Sequence, residues 1–412
     1  MRVLLVVHGF PPAAVGGTEI YVHDLACALK DRFGDEVHVM AREAAAGRPE
    51  PALRRERRDG IDVSWINNTF AGCRSFEYTY RNSRIRALAE SVIDSFRPDV
   101  VHVHHLTCLS TDILEACACR GLPTVVTLND YWLMCQRGQL LDLDYQRCPG
   151  PSAAACARCL HTGEAEAARR IEHVRAMCAQ VSLFLAPSRT MRERFLAFGI
   201  PGDRLVLARQ GCAFEPGPKR TGRTAGEPLR LGFIGSLMIS KAPHVLLEAF
   251  RHLPLGAASV RLFGAYSAYH GDDRYRGRLE ALLRLPGVEH PGPLPHERIA
   301  GALESLDVLV VPSVWEENAP FVIREAFSQG VPVVASDLGG MAEMVEHDRN
   351  GLLFAPGDAG SLERALRRLL DEPGLLDRLR AGIAPVRSLE EDAAWTRSEY
   401  ARLAAPAEAH AG

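Results

Sequence analysis

The chain has 412 residues, 47% hydrophobic and 24% charged, with a formal net charge of -3. That length exceeds one ordinary hydrophobic core and points to two domains, while the composition excludes a disordered or fibrous protein. The near-neutral balance gives no footing for nucleic acid, and no apolar run reaches the roughly 18 residues that a membrane span needs.

Read in order, short apolar runs alternate with amphipathic stretches, which predicts parallel sheets with helical crossovers. Val3 to Val7 is the first strand; the loop His8 to Thr18 follows, then a helix over Glu19 to Arg32. The opening apolar run is too short for a signal peptide. Pro11-Pro12 with Gly16-Gly17 behind it reads as a functional loop rather than a cleavage site. Glycines after a strand and before a helix let backbone amides approach a ligand at a positive dipole end, with a plain turn as the bland alternative. Arg54-Arg55-Glu56-Arg57-Arg58 reads as a solvated charged face, with peripheral contact to anionic lipid at the inner membrane face as the alternative. Further strands are expected at 36–40, 63–66, 100–104, 124–128 and 183–187, with a helix over 164–180 before the last.

Eleven cysteines and no secretion signal imply a reducing, cytoplasmic setting. Cys135, Cys148, Cys156 and Cys159 fall within 25 residues and end in C-x-x-C, a pattern suited to a structural zinc, with free thiols as the alternative. Phe214 to Glu227, rich in Pro, Gly and charge, is the best linker in the chain. The alternation then restarts, with strands at 229–234, 259–263, 307–311 and 332–335. The expected organisation is a first doubly wound domain over 1–210, a linker over 211–228, and a second doubly wound domain over 229–386. A terminal segment, 387–412, carries an amphipathic helix that returns to the first domain. Ligands would bind between the carboxyl edges of the two sheets.

The most informative stretch runs from Val308 to Ser336, V-L-V-V-P-S-V-W-E-E-N-A-P-F-V-I-R-E-A-F-S-Q-G-V-P-V-V-A-S. It is a strand, a loop with Trp315, Glu316 and Glu317, a helix opened by Pro320 and closed by Gly330, and a second strand. Glu317 and Glu325 then lie on the order of 10 Å apart, too far to share a proton but suited to gripping two parts of one ligand. With its flanks P-S-x-W-E-E-N and E-A-F-x-x-G-x-P-V-V-A-S, the stretch resembles the E-x7-E signature of retaining glycosyltransferases of the GT-B fold, family 4. Gly16-Gly17 before Glu19 resembles that family's G-G-x-E loop. Gly235 to Phe250 resembles its G-R-x-x-x-x-K-G segment, and Gly339-Gly340 with Glu343 its G-G-x-x-E.

The resemblance implies two Rossmann-like domains and a nucleotide diphosphate-sugar donor, with no cofactor needed for catalysis. On the matching positions, Glu325 would hold ribose hydroxyls, and Lys241, Ser236 and the Gly16-Gly17 amides the diphosphate. Glu317, with the backbone from Asn318 to Phe321, would hold the donor sugar. The chain departs from the pattern at Ser236 and Ala242, where the family has Arg and Gly, and at Asn318-Ala319-Pro320, where it has Gly-Phe-Gly. Asn129, in T-L-N-D-Y-W, stands where the family often has a histidine. An amide can position a substrate but cannot shuttle a proton near neutral pH, which leaves His104, His105, Asp130 or the donor phosphate for that task. The expected function is sugar transfer to a hydroxyl acceptor, with retention of configuration taken from the resemblance. The rivals are a non-catalytic sugar-nucleotide-binding paralogue and an epimerase of the same fold. No residue pattern names the acceptor, the donor's base or its sugar.

Overall fold

The computed structural model describes residues 1–217 and 227–405; residues 218–226, in the middle of the expected linker, lie outside them. The chain divides into two compact units. Met1–Leu143, Cys148–Gly211 and the segment from Ser388 form the first, and Asp144–Arg147 with Cys212–Arg387 the second.

The described residues of the first unit form one sheet of β1 (Arg2–Val7), β2 (Glu36–Glu43), β3 (Ala52–Arg58), β4 (Ile61–Asn67), β5 (Val100–Val103), β6 (Thr124–Thr127), β7 (Leu183–Ala186) and β8 (Leu205–Leu207). Their order is β3-β4-β2-β1-β5-β6-β7-β8, parallel throughout except for β3, which pairs antiparallel with β4. β1, β5, β6 and β7 are buried along almost their whole length, as strands covered on both faces must be, and this is why they read as short, largely apolar runs. The arginine-rich stretch at 54–58, read as a solvated charged face, lies on the edge strand β3, with Arg55 and Arg57 exposed. Arg54 pairs with Glu43 at 2.8 Å and also with Glu56, and Arg58 pairs with Glu56 at 3.3 Å. Charge on an edge strand discourages further pairing, which gives these arginines a role that needs no lipid.

The C-terminal helix, Leu389–Ala404, is capped by a reciprocal pair of bonds between Ser388 and Glu391. It is pinned within the first unit by three contacts. Tyr21 Oη donates to Asp392 Oδ2 at 2.6 Å, Arg397 forks onto the fully buried Asp35 at 2.8 and 3.2 Å, and Tyr400 Oη bonds His102 Nδ1. Asp35 also receives the chain's amino terminus at 2.8 Å. Gly211 lies so close to this segment that a Cβ would come within 2.3 Å of the Ser388 carbonyl oxygen.

The described residues of the second unit form a parallel sheet of β9 (Leu229–Ile234), β10 (Ala258–Phe263), β11 (Val288–Gly292), β12 (Val308–Val311), β13 (Val333–Ser336) and β14 (Gly351–Phe354), in the order β11-β10-β9-β12-β13-β14. Alternation along β12 sends Val308 and Val310 into one core layer, with Leu246 and Leu366. Leu309 and Val311 go into the other, with Ile323 and Met341. Asp307, fully buried at the start of β12, is gripped by Arg230 at 2.8 Å and by Arg380 at 3.0 Å. Burial would raise its carboxyl, but the Arg230 bonds outweigh that and hold it below the usual range. Within each sheet the winding reverses beside the first strand, at β1/β5 and at β9/β12. Doubly wound sheets bind ligands at the carboxyl ends of strands at such points.

Candidate active site

In the second unit, the loops leaving β9 and β12 meet at that reversal. Lys241, in the 3-10 turn Ile239–Lys241 after β9, places Nζ 2.5 Å from Glu317 Oε1. Ser313 Oγ donates to the same oxygen at 2.7 Å and Trp315 Nε1 at 3.0 Å. The ammonium also lies 5.6 Å from the Trp315 ring centre. The Ser240 carbonyl accepts the Val314 N–H at 2.9 Å, tying the two loops by backbone as well. Glu317 is only 2% exposed, so a carboxylate has been buried against a lysine and two neutral donors. A buried charge persists only with such company.

Glycines make this packing feasible. A Cβ on Gly340 would sit 1.8 Å from the Asn318 carbonyl oxygen, and the Gly340 N–H donates to the Glu317 carbonyl at 2.8 Å. Gly339 has φ +54°, which favours glycine, and backs onto Glu316. The G-G of this segment therefore shapes the Glu317 loop. Ala242 adopts φ +50° at the start of helix Pro243–Phe250, a conformation that suits the family's glycine better. Ser236 is exposed; Asn318 is buried, and its Oδ1 accepts the Ala319 N–H at 2.7 Å. Helix Phe321–Ser328 starts after Pro320, with the Phe321 ring beneath the Arg324 guanidinium, and half-buried Glu325 lies inside it.

In the first unit, exposed Gly16 is the N-cap of helix Gly17–Phe33 and makes no side-chain capping bond. The Glu19 carboxylate folds over it, where a Cβ would meet Oε2 at 2.6 Å. His8, directly after β1, reaches Glu19 Oε1 at 3.1 Å. Burial alone would raise the Glu19 carboxyl, but the bond and field of His8 hold it below its usual value. After β5, His105 Nε2 lies 3.0 Å from Asp130 Oδ2, and the His8 and His105 ring centres are 4.4 Å apart. Asn129 is engaged at both ends: Nδ2 donates to the His104 carbonyl at 2.9 Å, and Oδ1 accepts from Gln210 Nε2 at 3.1 Å. His104 is buried with neither ring nitrogen hydrogen-bonded, and burial takes it down to about 3.

Cys148 lies within electrostatic reach of Cys135, Cys156 and Cys159, and burial pushes those three thiols up, toward the protonated form. Among the described residues, however, no group of three or more His, Cys, Asp or Glu is arranged to hold a metal ion, and the four cysteines are free thiols. Cys156 and Cys159 share the short helix Ala153–Leu160 rather than a metal-binding turn. No described helix is long and apolar enough to cross a membrane. Sequence reasoning missed His8 as a partner of Glu19 and Ser313 as a partner of Glu317. Their only signal was position, one residue beyond a strand and one beyond the strand-ending Pro312.

Residues 15–212 match the domain family Glycosyltransferase Family 4, and residues 219–383 match Glycosyl transferases group 1. The chain is 25% identical over 396 residues to a glycogen synthase of Mycobacterium tuberculosis, across 92% of this chain and 88% of that protein. It is 29% identical over 200 residues to the amylovoran biosynthesis glycosyltransferase AmsK of Erwinia amylovora, across 46% and 48% of the two chains. Among solved structures, sucrose-phosphate synthase from Thermosynechococcus elongatus superposes with a TM-score of 0.73 at 20% identity, covering 98% of each chain. Anabaena HepE, solved with UDP and glucose, superposes with a TM-score of 0.67 at 17% identity, covering 97% of this chain and 99% of that one. Two matched domains, each with its doubly wound sheet, and a lysine–glutamate pair at the reversal of the second show that the chain belongs to the family 4 glycosyltransferases of the GT-B fold.

Proposed function

We propose that the chain transfers a sugar from a nucleoside diphosphate-sugar to a hydroxyl acceptor with retention of configuration, and that its second unit holds the donor. The Lys241–Glu317 pair carries this reading. Lys241 uses one N–H on Glu317 and keeps others for diphosphate oxygens, where a compact cation stabilises charge that grows as the bond to the sugar breaks. Lys241, Ser313 and Trp315 all converge on Glu317 Oε1, leaving Oε2 to accept a sugar hydroxyl. Glu325, inside the following helix, is assigned the ribose diol, and Asn318 and Phe321 the wall beside the sugar. Ser236 offers one hydroxyl where an arginine would give two N–H bonds. In the first unit, the Gly16-Gly17 amides are assigned to an anionic group. Structurally similar Anabaena HepE has been solved with UDP-glucose, which makes uridine nucleotides the first donors to try.

The test is a thermal-shift panel of UDP-, ADP- and GDP-sugars followed by turnover of the donor that binds. A donor present at 100 times its Kd should add about 2.7 kcal/mol. Released nucleoside diphosphate with a product of unchanged anomeric configuration supports the proposal. Isomerised sugar would point to an epimerase, binding without turnover to an accessory protein, and no shift with any sugar nucleotide would sink the donor assignment.

A further inference from the structure

We propose that Cys27 is a reactive thiol, activated by His23, which small peroxides oxidise to a sulfenic acid; this stands apart from the transferase reading above. His23, Cys27 and Lys30 recur at steps of four and three along helix Gly17–Phe33, so they share one face. That face meets the two-residue turn between β3 and β4, where Asp59 and Gly60 both have positive φ, +50° and +74°. An Asp-Gly pair supplies the twist of such a hairpin turn, and the turn sets the position of Asp59. Lys30 Nζ fastens it by donating to the Asp59 carbonyl at 2.6 Å.

Three groups close on the His23 ring. Nδ1 lies 3.1 Å from Asp24 Oδ1, and Nε2 lies 3.2 Å from Asp59 Oδ2 and 3.8 Å from Cys27 Sγ. Ionised carboxylates only accept hydrogen bonds, so both nitrogens donate and the ring carries both protons. The bond to Asp24 first, then that to Cys27, outweigh burial and raise this imidazole to about 10. A base oriented by a carboxylate, with a thiol in reach of its other nitrogen, is the arrangement that activates a nucleophilic sulfur. An imidazolium beside the sulfur favours the thiolate, the form that attacks. Cys27 is half-buried and its partners are partly open, with His23 25% and Asp59 61% exposed, which admits a small molecule.

The other thiols are placed differently. Burial pushes Cys117 and Cys178 up to about 12, and Cys73 and Cys148 donate to the Ser75 and Gly150 carbonyls at 3.4 and 3.3 Å. Among the described residues, no imidazole lies within hydrogen-bonding distance of exposed Cys119.

In the reaction the Cys27 sulfur attacks the terminal oxygen of a hydroperoxide. The S–O bond forms as the O–O bond breaks; sulfur loses two electrons and the departing oxygen gains them. His23 passes a proton to that oxygen, which leaves as water, or as an alcohol from an organic peroxide. The hydroxyl stays on sulfur as the sulfenic acid.

The test treats the whole chain with equimolar hydrogen peroxide at neutral pH in the presence of dimedone, which traps sulfenic acids. The tryptic peptide Val3–Lys30 carries Cys27 and no other cysteine, so mass spectrometry reads the site directly. Trapping at Cys27 should run about tenfold faster than at Cys119. H23Q should bring it down to the Cys119 rate, whereas H23R, which keeps a cation by the sulfur, should stay within about threefold of wild type. D59N suits the turn, since Asn also accepts positive φ, and should slow trapping about threefold by removing one of the two carboxylates that hold the ring's charge. Each variant is checked for unchanged melting; if H23Q does not fold, D59N decides. Cys27 trapped no faster than Cys119, an unchanged rate in H23Q or D59N, or H23R as slow as H23Q would overturn the inference.

Discussion

Replacing Glu317 with glutamine removes a charge and keeps nearly the same shape. Three donors converge on one Glu317 oxygen, whose side chain is 3% exposed, and the lysine among them is 30% exposed. A hydrogen bond to a charged group contributes about 1.5–3 kcal/mol and a neutral one about 0.5–1.5. Lys241 keeps its own charge, so only the Ser313 and Trp315 bonds become neutral, at about 1–1.5 kcal/mol each and about 2–3 kcal/mol together. Lys241 regains part of that from water, so the expected loss is about 2 kcal/mol. For a domain of this size, that lowers the melting temperature of the second unit by about 4–8 °C. Calorimetry should find it, and a cycle with K241M should give a coupling of about 1–2 kcal/mol, since the residues touch. The same change should lower kcat by about 100-fold, because the sugar loses its charged acceptor and the lysine its orienting partner. An E317Q protein that melts within about a degree of wild type, with effects additive to K241M, would mean the pair does not exist in solution. The donor site built on it would then fall.

Four further predictions come from other parts of the two units. G340A, whose Cβ would sit 1.8 Å from the Asn318 carbonyl oxygen, should destabilise the second unit by more than about 2 kcal/mol and weaken donor binding, read by calorimetry and titration. E325A should raise donor KM more than it lowers kcat, and the opposite split would remove Glu325 from the ribose. Burial takes the His104 imidazole to about 3, against about 6.5 in an unfolded chain. Between those values the unfolded chain binds the extra proton, so stability should fall by several kcal/mol as pH drops through the window, and H104L should flatten that slope in acid titrations. Metal analysis of purified protein should find no stoichiometric zinc. A zinc equivalent lost on replacing Cys148 would contradict the free-thiol geometry.

The strands of both sheets were largely legible, because a buried parallel strand is a run of Val, Leu and Ile with nowhere to place a charge. Those that escaped notice are the ones that break this rule. β3 carries four arginines because it lies at an edge, β8 is three residues long, and β11 ends in His-Pro-Gly. The glutamate spacing in the second unit was legible too, since both carboxylates belong to one strand–helix passage. The meeting of Lys241 with Glu317, 76 residues apart, was not. Only sheet order makes β9 and β12 neighbours.

Asn129 and the cysteines show why a motif taken position by position can mislead. Where the family often has a histidine, this chain has an amide tied to His104 and Gln210, so that position has become a brace. The titratable chemistry has not left the edge of the sheet. One residue on, Asp130 pairs across the sheet with His105, 25 positions earlier. The cysteines show the reverse: their spacing suits a metal, yet the fold gives two of them to a short helix and leaves all four as thiols. Spacing proposes which residues can share a site when they lie on one element. When they lie on different elements, strand order and loop path decide, and a substitution at one motif position can be offset by a neighbour that no linear pattern contains.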